Sequence, residues 1–193
     1  HILPSVLLGA TTMKYCSHCR AEVTFDIPDG DNRHRHICRN CDTIFYENPR
    51  IVAGTLPVLD GRILLCNRAI SPRKGYWTLP AGFMENGEST EQAALRETWE
   101  EAEARPVLGN LYSMITVPHI NQVHIFFLAD MQVPEFSAGP ESLEVALFTP
   151  AEIPWDEIAF PTVSETLKRF IDGATGPHVF DIRPDQALHA GND

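Results

Sequence analysis

The sequence predicts a mixed α/β domain that follows a small cysteine-bearing module. Apolar residues make up 44% and charged residues 21% of the 193-residue chain, which is the composition of an ordinary folded protein. Strand-like and helix-like segments alternate without a regular βαβ repeat, so we expect a central sheet that is largely antiparallel or mixed. Four of the five cysteines lie near the N-terminus, and they mark the separate module.

Composition divides the chain into four segments. Residues 1–12 precede a segment that reads like a natural start at Met13, and we interpret them as an upstream or vector-derived extension. Residues 13–48 form the cysteine-bearing module and residues 49–183 the α/β domain. We expect residues 184–193 to be a loose tail.

The module contains two predicted strands, at residues 23–27 and 44–46, and two C-x2-C pairs that are 18 residues apart. The cysteines are Cys16, Cys19, Cys38 and Cys41. This spacing is typical of a tetrahedral zinc site in which each pair supplies two thiolates. Four sulfurs leave no open position for water, so the zinc would be structural. Two disulfides or free thiols are the alternatives.

Cysteine usage also indicates the compartment. The module has too few apolar residues to fold without a bound metal or a disulfide. Cys66, the fifth cysteine, falls in a predicted buried strand and has no pairing partner nearby in the sequence. Zinc thiolates and an unpaired cysteine both favour a reducing environment, so we expect a cytoplasmic protein.

The α/β domain begins with two predicted buried strands, at residues 51–59 and 62–68, joined by the hairpin turn Asp60-Gly61. Loops at residues 71–82 lead to a helix at residues 89–101, for which Ser89 and Gln92 have the spacing of a capping box. Further strands are predicted at residues 111–117, 122–133 and 144–148, with a loop at residues 135–142. Helices are predicted at residues 150–157 and 162–172.

The net charge of −11 lies entirely outside residues 13–50, where acids and bases balance. An acidic domain is a poor general binder of duplex phosphates, and no stretch approaches the roughly 20 apolar residues that a membrane-spanning helix needs. We therefore expect neither nucleic acid nor membrane as a partner. Converging carboxylates would instead suit a divalent cation.

Such carboxylates occur on the helix predicted at residues 89–101. Glu97, Glu100 and Glu101 are at positions i, i+3 and i+4, so they share one face. Each like-charged pair costs a few tenths of a kcal/mol, about 0.2–0.5, unless a cation offsets the repulsion. The residues alone leave two readings open, a metal site and a solvated acidic face.

This segment resembles the Nudix box, G-x5-E-x7-R-E-U-x-E-E-x-G-U, in which U is apolar. The matching residues are Gly82, Glu88, Arg96, Glu97, Glu100 and Glu101. The departures are Thr98 at an apolar position, Glu103 in place of glycine and Ala104 at the last position. Because that glycine would end the helix with a positive φ, Glu103 predicts either a longer helix or a strained helix end.

The resemblance implies a Nudix α/β/α sandwich over about residues 51–172 and hydrolysis of a nucleoside diphosphate linked to another group. It implies that Glu97, Glu100 and Glu101 bind Mg²⁺ or Mn²⁺, helped by backbone carbonyls at Ala81 and Gly82. These metals would neutralise the diphosphate and activate water.

Other site residues follow from the same resemblance. Arg96, paired with Glu88, is expected to orient the carboxylates rather than to bind phosphate. A carboxylate on the 135–144 loop is expected to be a further ligand or the general base, with Glu144 as first choice and Glu141 as second. The alternative for both is an ordinary solvated loop residue.

A zinc ribbon before a Nudix domain resembles the NADH pyrophosphatase branch and the ADP-ribose/FAD pyrophosphatases. The Ser-Gln-Pro-Trp-Pro-Phe-Pro-x-Ser array of the first is absent, and residues 50–54, 139–144 and 152–156 look more like the second. We therefore predict FAD or ADP-ribose as the small-molecule substrate and AMP as a product. NADH or NAD hydrolysis and a nucleotide-binding regulator without turnover stay open, and a homodimer is among the assemblies that the sequence allows.

Overall fold

A computed structural model describes residues 13–184, and they divide into two units between Asn48 and Pro49. The predicted extension at residues 1–12 lies outside the described residues, as does the predicted tail beyond Pro184. Within residues 13–184 no helix is long and apolar enough to cross a membrane.

The first unit is built on a three-stranded antiparallel sheet in the order β1-β2-β3. Its strands are β1 (Val23–Asp26), β2 (Arg35–Cys38) and β3 (Ile44–Phe45). The sequence predicted the outer two strands but not β2, because His36, Ile37 and Cys38 show no alternation of polar and apolar residues. All three are buried, as expected for a central strand.

The second unit contains a mixed sheet, which confirms the predicted class. Its strands are β4 (Arg50–Leu59), β5 (Arg62–Arg68), β6 (Trp77–Thr78), β7 (Ala81–Phe83), β8 (Val107–Val117), β9 (Gln122–Asp130), β10 (Ser142–Phe148) and β11 (His178–Asp181). The main order is β10-β5-β4-β9-β8-β11, with β6 on β5 and β7 on β4. The pairs β4–β9 and β8–β11 are parallel, and the others are antiparallel.

Two helices, α1 (Thr90–Ala102) and α2 (Pro161–Ile171), pack on opposite faces of this sheet. Successive residues of a strand point to opposite faces. Thr55 of β4 contacts Thr98 of α1, with 2.7 Å between the two hydroxyl oxygens. Its neighbour Leu56 belongs to the core cluster that contains Leu167 of α2. The arrangement is the α/β/α sandwich that the sequence predicted.

Three local expectations were wrong. Residues 150–157 form two short 3₁₀ turns, Pro150–Glu152 and Trp155–Glu157, because Pro154 lies between them and cannot donate a backbone hydrogen bond to a continuous helix. The segment after Tyr76, predicted as a loop, contains β6 and β7. The edge strand β11 was not predicted.

Candidate active site

A cap at the N-terminus of α1 fixes the residue at which this helix begins. Ser89 Oγ accepts a hydrogen bond from the Gln92 backbone N–H (3.3 Å), and Gln92 Oε1 accepts one from the Ser89 backbone N–H (2.8 Å). This reciprocal pair is the capping box that the sequence predicted. Because the helix starts at a defined residue, the positions of its glutamates relative to the sheet are defined as well.

The three glutamates of α1 do not form a uniformly solvated face. Glu97 and Glu101 are buried, with 9% and 5% of their surfaces exposed, whereas Glu100 is exposed. Burying a carboxylate is costly unless a cation or hydrogen-bond donors compensate for lost water. The arrangement therefore argues against the reading as an ordinary acidic surface.

Arg96 holds three carboxylates at once. Its Nε and Nη2 donate to the two oxygens of Glu88 (2.6 and 3.0 Å), and its Nη1 donates to Glu97 (2.6 Å) and Glu100 (3.0 Å). Nη2 also donates to the Phe83 carbonyl, at 3.1 Å. The two bonds to Glu88 form a bidentate pair, which fixes the relative orientation of the guanidinium and the carboxylate. The Arg96 guanidinium lowers the pKa of Glu88 to about 2, so Glu88 is ionised at neutral pH.

Glu101 lies deeper, and no arginine or lysine of residues 13–184 forms an ion pair with it, although the charge of Arg68 acts on it from a distance. Its carboxylate accepts a hydrogen bond from the Ala81 backbone N–H at 3.1 Å. Burial, with a further contribution from the charge of Glu97, raises the pKa of Glu101 to about 8. Burial also raises the pKa of Glu97, against the opposing effect of Arg96.

Strand β7 carries Ala81 and Gly82 to these carboxylates. Gly82 pairs with Ala53 of β4, and Ala81 pairs with Gly54. A β-carbon at position 82 would overlap the carboxylate group of Glu97. Glycine therefore leaves the space that the Glu97 carboxylate occupies, and a larger residue at this position would displace that carboxylate.

The acidic groups open onto a cavity of about 340 Å³. It is lined by Glu97, Trp99, Glu100, Glu101, Glu103, Pro140 and Glu141. Glu141 thus joins the carboxylates of α1, and its charge contributes to the raised pKa of both Glu97 and Glu101. Glu144, the first choice from the sequence, does not line this cavity; it is exposed on β10, where it pairs with Asn67.

The loop before β10 is fastened to the C-terminal end of α1. The backbone N–H groups of Ser137 and Gly139 donate to the carbonyls of Ala102 (2.9 Å) and Glu101 (3.1 Å). The carbonyls in the last turn of a helix have no hydrogen-bond donor within the helix, and the loop supplies donors for these two. Sequence reasoning identified a loop at residues 135–142 but not this contact, since nothing local links residue 139 to residue 101.

The departures from the Nudix box have local explanations. Thr98 is fully buried, and its hydroxyl donates to the Ala94 carbonyl (2.7 Å) while contacting the Thr55 hydroxyl. Glu103 follows the last helical residue with φ 47° and ψ 25°, so the strained helix end is the correct expectation. The Ser137 hydroxyl hydrogen-bonds to the Glu103 carboxylate, which ties the same loop to the helix end.

The cysteine cluster fits a structural zinc. The four Sγ atoms of Cys16, Cys19, Cys38 and Cys41 lie within 4.8 Å of one another, and none of the four is in a disulfide. A tetrahedron with Zn–S bonds of about 2.3 Å has sulfurs about 3.8 Å apart. The Cys16–Cys41 and Cys19–Cys38 sulfur distances are 3.7 and 3.4 Å.

The glutamate site differs from the cysteine cluster. Among residues 13–184, only the cysteines bring three or more metal-ligand atoms so close together, because Arg96 draws Glu97 and Glu100 toward itself. The donor set nevertheless fits a hard divalent cation: it consists of carboxylates, and the most buried of them, Glu101, has only one hydrogen-bond donor among the described contacts.

Comparison with known proteins agrees with this geometry. The family model described as NUDIX domain matches residues 48–170, and a zinc-ribbon model described as Nudix N-terminal matches residues 14–47. A NUDIX hydrolase structure from Nitrosomonas europaea is 47% identical, with a TM-score of 0.85, and the match covers 88% of this chain and 99% of that one.

Two curated relatives are similar over parts of the chain. An ADP-ribose pyrophosphatase from Methanocaldococcus jannaschii is 31% identical over 56% of this chain and 67% of its own length. An NAD-capped RNA hydrolase NudC from Chromobacterium violaceum is 35% identical over 46% of this chain and only 31% of its own length. Buried glutamates on a capped helix, a glycine that leaves room for one of them and a family match over most of the chain lead to one assignment: this chain belongs to the Nudix hydrolase family.

Proposed function

We propose that the protein hydrolyses the diphosphate bond of a nucleoside diphosphate linked to another group, with FAD or ADP-ribose as preferred substrate and AMP as a product. The observation that carries this proposal is the pair of buried carboxylates, Glu97 and Glu101, at the wall of an open acidic cavity. Burial raises the pKa of both carboxyl groups, and a bound divalent cation would favour their ionised forms, so the pair suits a cation site.

In this proposal Glu97, Glu100 and Glu101 hold Mg²⁺ or Mn²⁺, together with the backbone carbonyls of Ala81 and Gly82. When bound, the metal supplies neutralisation of the diphosphate charge and polarisation of a phosphoryl oxygen. The N–H of Ala81 keeps the Glu101 carboxylate in place, and the absence of a side chain at Gly82 leaves room for Glu97.

Arg96 and Glu88 act as positioning residues. The guanidinium of Arg96 is occupied by Glu88, Glu97, Glu100 and the Phe83 carbonyl, so it has little capacity left for a phosphate. Glu88 fixes the plane of the guanidinium by accepting two bonds. Arg96 in turn sets the direction of the Glu97 and Glu100 side chains.

Glu141 is the better candidate for general base or further metal ligand, in place of Glu144. It lines the cavity together with the α1 carboxylates, whereas Glu144 does not, although both residues are exposed. As general base, Glu141 accepts the proton that water loses as its oxygen bonds to phosphorus. The bridging P–O bond then breaks, and two phosphate monoesters leave.

The substrate preference rests on the sequence and the named relatives. The ADP-ribose pyrophosphatase relative favours ADP-ribose, and the missing tryptophan-proline array favours the ADP-ribose/FAD group over NADH. A second candidate is an NAD-like dinucleotide, which the NudC relatives favour. The cysteines of the first unit are not in disulfides, which supports a reducing compartment such as the cytoplasm.

A turnover panel tests the proposal. The full chain is assayed with Mg²⁺ or Mn²⁺ on FAD, ADP-ribose, NADH and a diadenosine polyphosphate, and AMP is quantified, with Glu101→Gln as the matched inactive control. We expect FAD or ADP-ribose to exceed NADH in kcat/KM by about tenfold. NADH as best substrate would move the protein to the second candidate. Tight nucleotide binding without turnover of any diphosphate would leave a non-hydrolysing regulator.

A further inference from the structure

Trp99 is a large apolar side chain that the proposed metal chemistry does not use. It lies on α1 between Glu97 and Glu101, and 43% of its surface is exposed. An exposed indole at the edge of a cavity offers a large apolar surface on which a flat ligand can stack. Its position on a capped helix gives it a defined place relative to the carboxylates.

The indole borders a second cavity, of about 250 Å³, which adjoins the carboxylate cavity. We call this second cavity the indole groove; it is lined by Trp99, Glu103, Arg105, Met131, Val133 and Glu135. Trp99 and Glu103 line both cavities. The two cavities therefore border each other at the C-terminal end of α1.

Arg105 is the cation of this groove. Its guanidinium carbon lies 4.2 Å from the centre of the Trp99 ring. It forms no ion pair with a carboxylate of residues 13–184, although Glu103 and Glu135 line the same cavity. Arg96, in contrast, is occupied by three carboxylates. Arg105 thus keeps its hydrogen-bond donors available next to the proposed site of hydrolysis.

Trp99 lines both cavities, whereas Arg105 lines only the indole groove and not the carboxylate cavity. Trp99 therefore borders the carboxylate cavity at a place that Arg105 does not line, and we expect a flat ring in that cavity to reach the indole there. Stacking on an aromatic side chain is how proteins hold heterocyclic bases with little dependence on their identity.

We propose that Trp99 and Arg105 bind the leaving half of a dinucleotide substrate, with its planar heterocycle stacked on the indole and its phosphate near the guanidinium. This inference rests on the proposed diphosphate hydrolysis and names the substrate class: a diphosphate whose second half carries a flat ring, nicotinamide or flavin. ADP-ribose carries only a sugar in that half and no planar heterocycle, so it gains nothing from the stack. The residues select among substrates and take no part in the chemical step.

The test compares Trp99→Ala with wild type in the full chain, measuring kcat/KM for FAD, NADH and ADP-ribose. We expect the ratio of kcat/KM for FAD or NADH over that for ADP-ribose to fall about 10- to 100-fold, because stacking contributes about that much per base. Trp99→Phe should restore most of the ratio. Arg105→Gln should lower it by a smaller factor. Trp155→Ala, which removes an indole of similar exposure (39%) outside both cavities, should leave the ratio unchanged.

Equilibrium binding of the product halves keeps the inference independent of turnover. Titration calorimetry should show that Trp99→Ala weakens FMN or NMN about tenfold or more relative to ribose 5-phosphate. An equal loss for all three substrates, or a ratio that matches wild type, overturns the inference while the proposed function stands. The inference is also overturned if the wild-type protein cleaves ADP-ribose but neither FAD nor NADH. If wild type cleaves no diphosphate, the proposed function fails, and unchanged FMN and NMN binding in Trp99→Ala then rejects the groove as well.

Discussion

The α-carbon of Gly139 lies so close to the carbonyl oxygen of Glu100 that no β-carbon fits between them. This contact, with the hydrogen bond from the Gly139 N–H to the Glu101 carbonyl (3.1 Å), docks the loop onto the end of α1. Glu141 follows two residues later and reaches the carboxylate cavity. One glycine therefore links the placement of a loop carboxylate to the carboxylate helix.

Gly139→Ala should damage both stability and activity. The added methyl group must push the loop away from α1, which breaks the hydrogen bond to Glu101 and moves Glu141 out of the cavity. We expect a loss of about 1–3 kcal/mol in unfolding free energy and a fall in kcat of tenfold or more. Chemical denaturation and AMP release measure the two effects. Ala138→Ser, an exposed change in the same loop, should do neither.

Glu141→Gln and Glu144→Gln form a matched pair. Both remove one negative charge from neighbouring positions, but only Glu141 lines the cavity. We expect Glu141→Gln to lower kcat on the order of 10²–10⁴ and Glu144→Gln to change it by less than about twofold. Single-turnover kinetics at saturating substrate separates the two. The reverse pattern would restore Glu144 as the functional carboxylate.

Substitution of the helix carboxylates should separate activity from stability. Glu100→Gln and Glu101→Gln are each expected to lower kcat on the order of 10²–10⁴. Without Mg²⁺, neither should be much less stable than wild type. Glu101 has a pKa of about 8 and is largely neutral at pH 7, so glutamine replaces a mostly uncharged group there. Glu100→Gln relieves a repulsion with Glu97 worth about a few tenths of a kcal/mol. Thermal unfolding in EDTA checks this second part. Normal turnover in both variants would reduce the three glutamates to a structural acidic patch.

Zinc should be necessary for the first unit. Elemental analysis after purification without chelator should find about one zinc per chain, as a four-cysteine site predicts. Chelation should unfold residues 14–46 before the rest, since the binding energy of such a metal is largely folding energy. Hydrogen exchange with and without chelator locates the unfolding. Paired disulfides and no zinc would contradict the prediction.

His124 should make the protein less stable in acid. Its ring nitrogens contact the Thr162 hydroxyl (3.1 Å) and the Gln122 side-chain oxygen (2.9 Å), and burial lowers its pKa to about 4. An unfolded histidine titrates near pH 6.5, so between about pH 6.5 and 4 only the unfolded chain takes up this proton. Stability therefore falls as the pH falls through this window.

His124→Gln should remove that part of the pH dependence. We expect the difference in unfolding free energy between pH 7 and pH 4 to shrink by up to about 3 kcal/mol relative to wild type. Denaturant unfolding at several pH values measures it. His119→Gln removes an exposed histidine and serves as the control. Parallel pH curves for wild type and His124→Gln would show that the buried ring is not responsible.

Local signals in the sequence predicted the parts of the fold that depend on local contacts. The start of α1 follows from Ser89 and Gln92, which satisfy each other within one helical turn. The strands β2 and β11 have no such signal, because each exists through pairing with a distant strand. Their burial and register come from the assembled sheet rather than from their own residues.

The same distinction applies to the site. The spacing of Glu97, Glu100 and Glu101 places them on one face, but their unequal burial depends on β7 and on the loop docked at the helix end. The order of preference between Glu144 and Glu141 stays a prediction, and it was made without knowledge of the register shift between Ser142 and Glu144 in β10. A register shift of this kind changes which side chains face the cavity, and no residue type in the segment predicts it.

The buried hydroxyl pair of Thr55 and Thr98 makes the two positions unequal to substitution. Thr98 keeps its bond to the Ala94 carbonyl if Thr55 becomes valine, so that step leaves no hydroxyl without a partner. The opposite first step leaves the Thr55 hydroxyl without a partner in a fully buried position, at a cost of about 1–3 kcal/mol. A chain with valine at both positions is therefore reached at lower cost through Thr55→Val than through Thr98→Val.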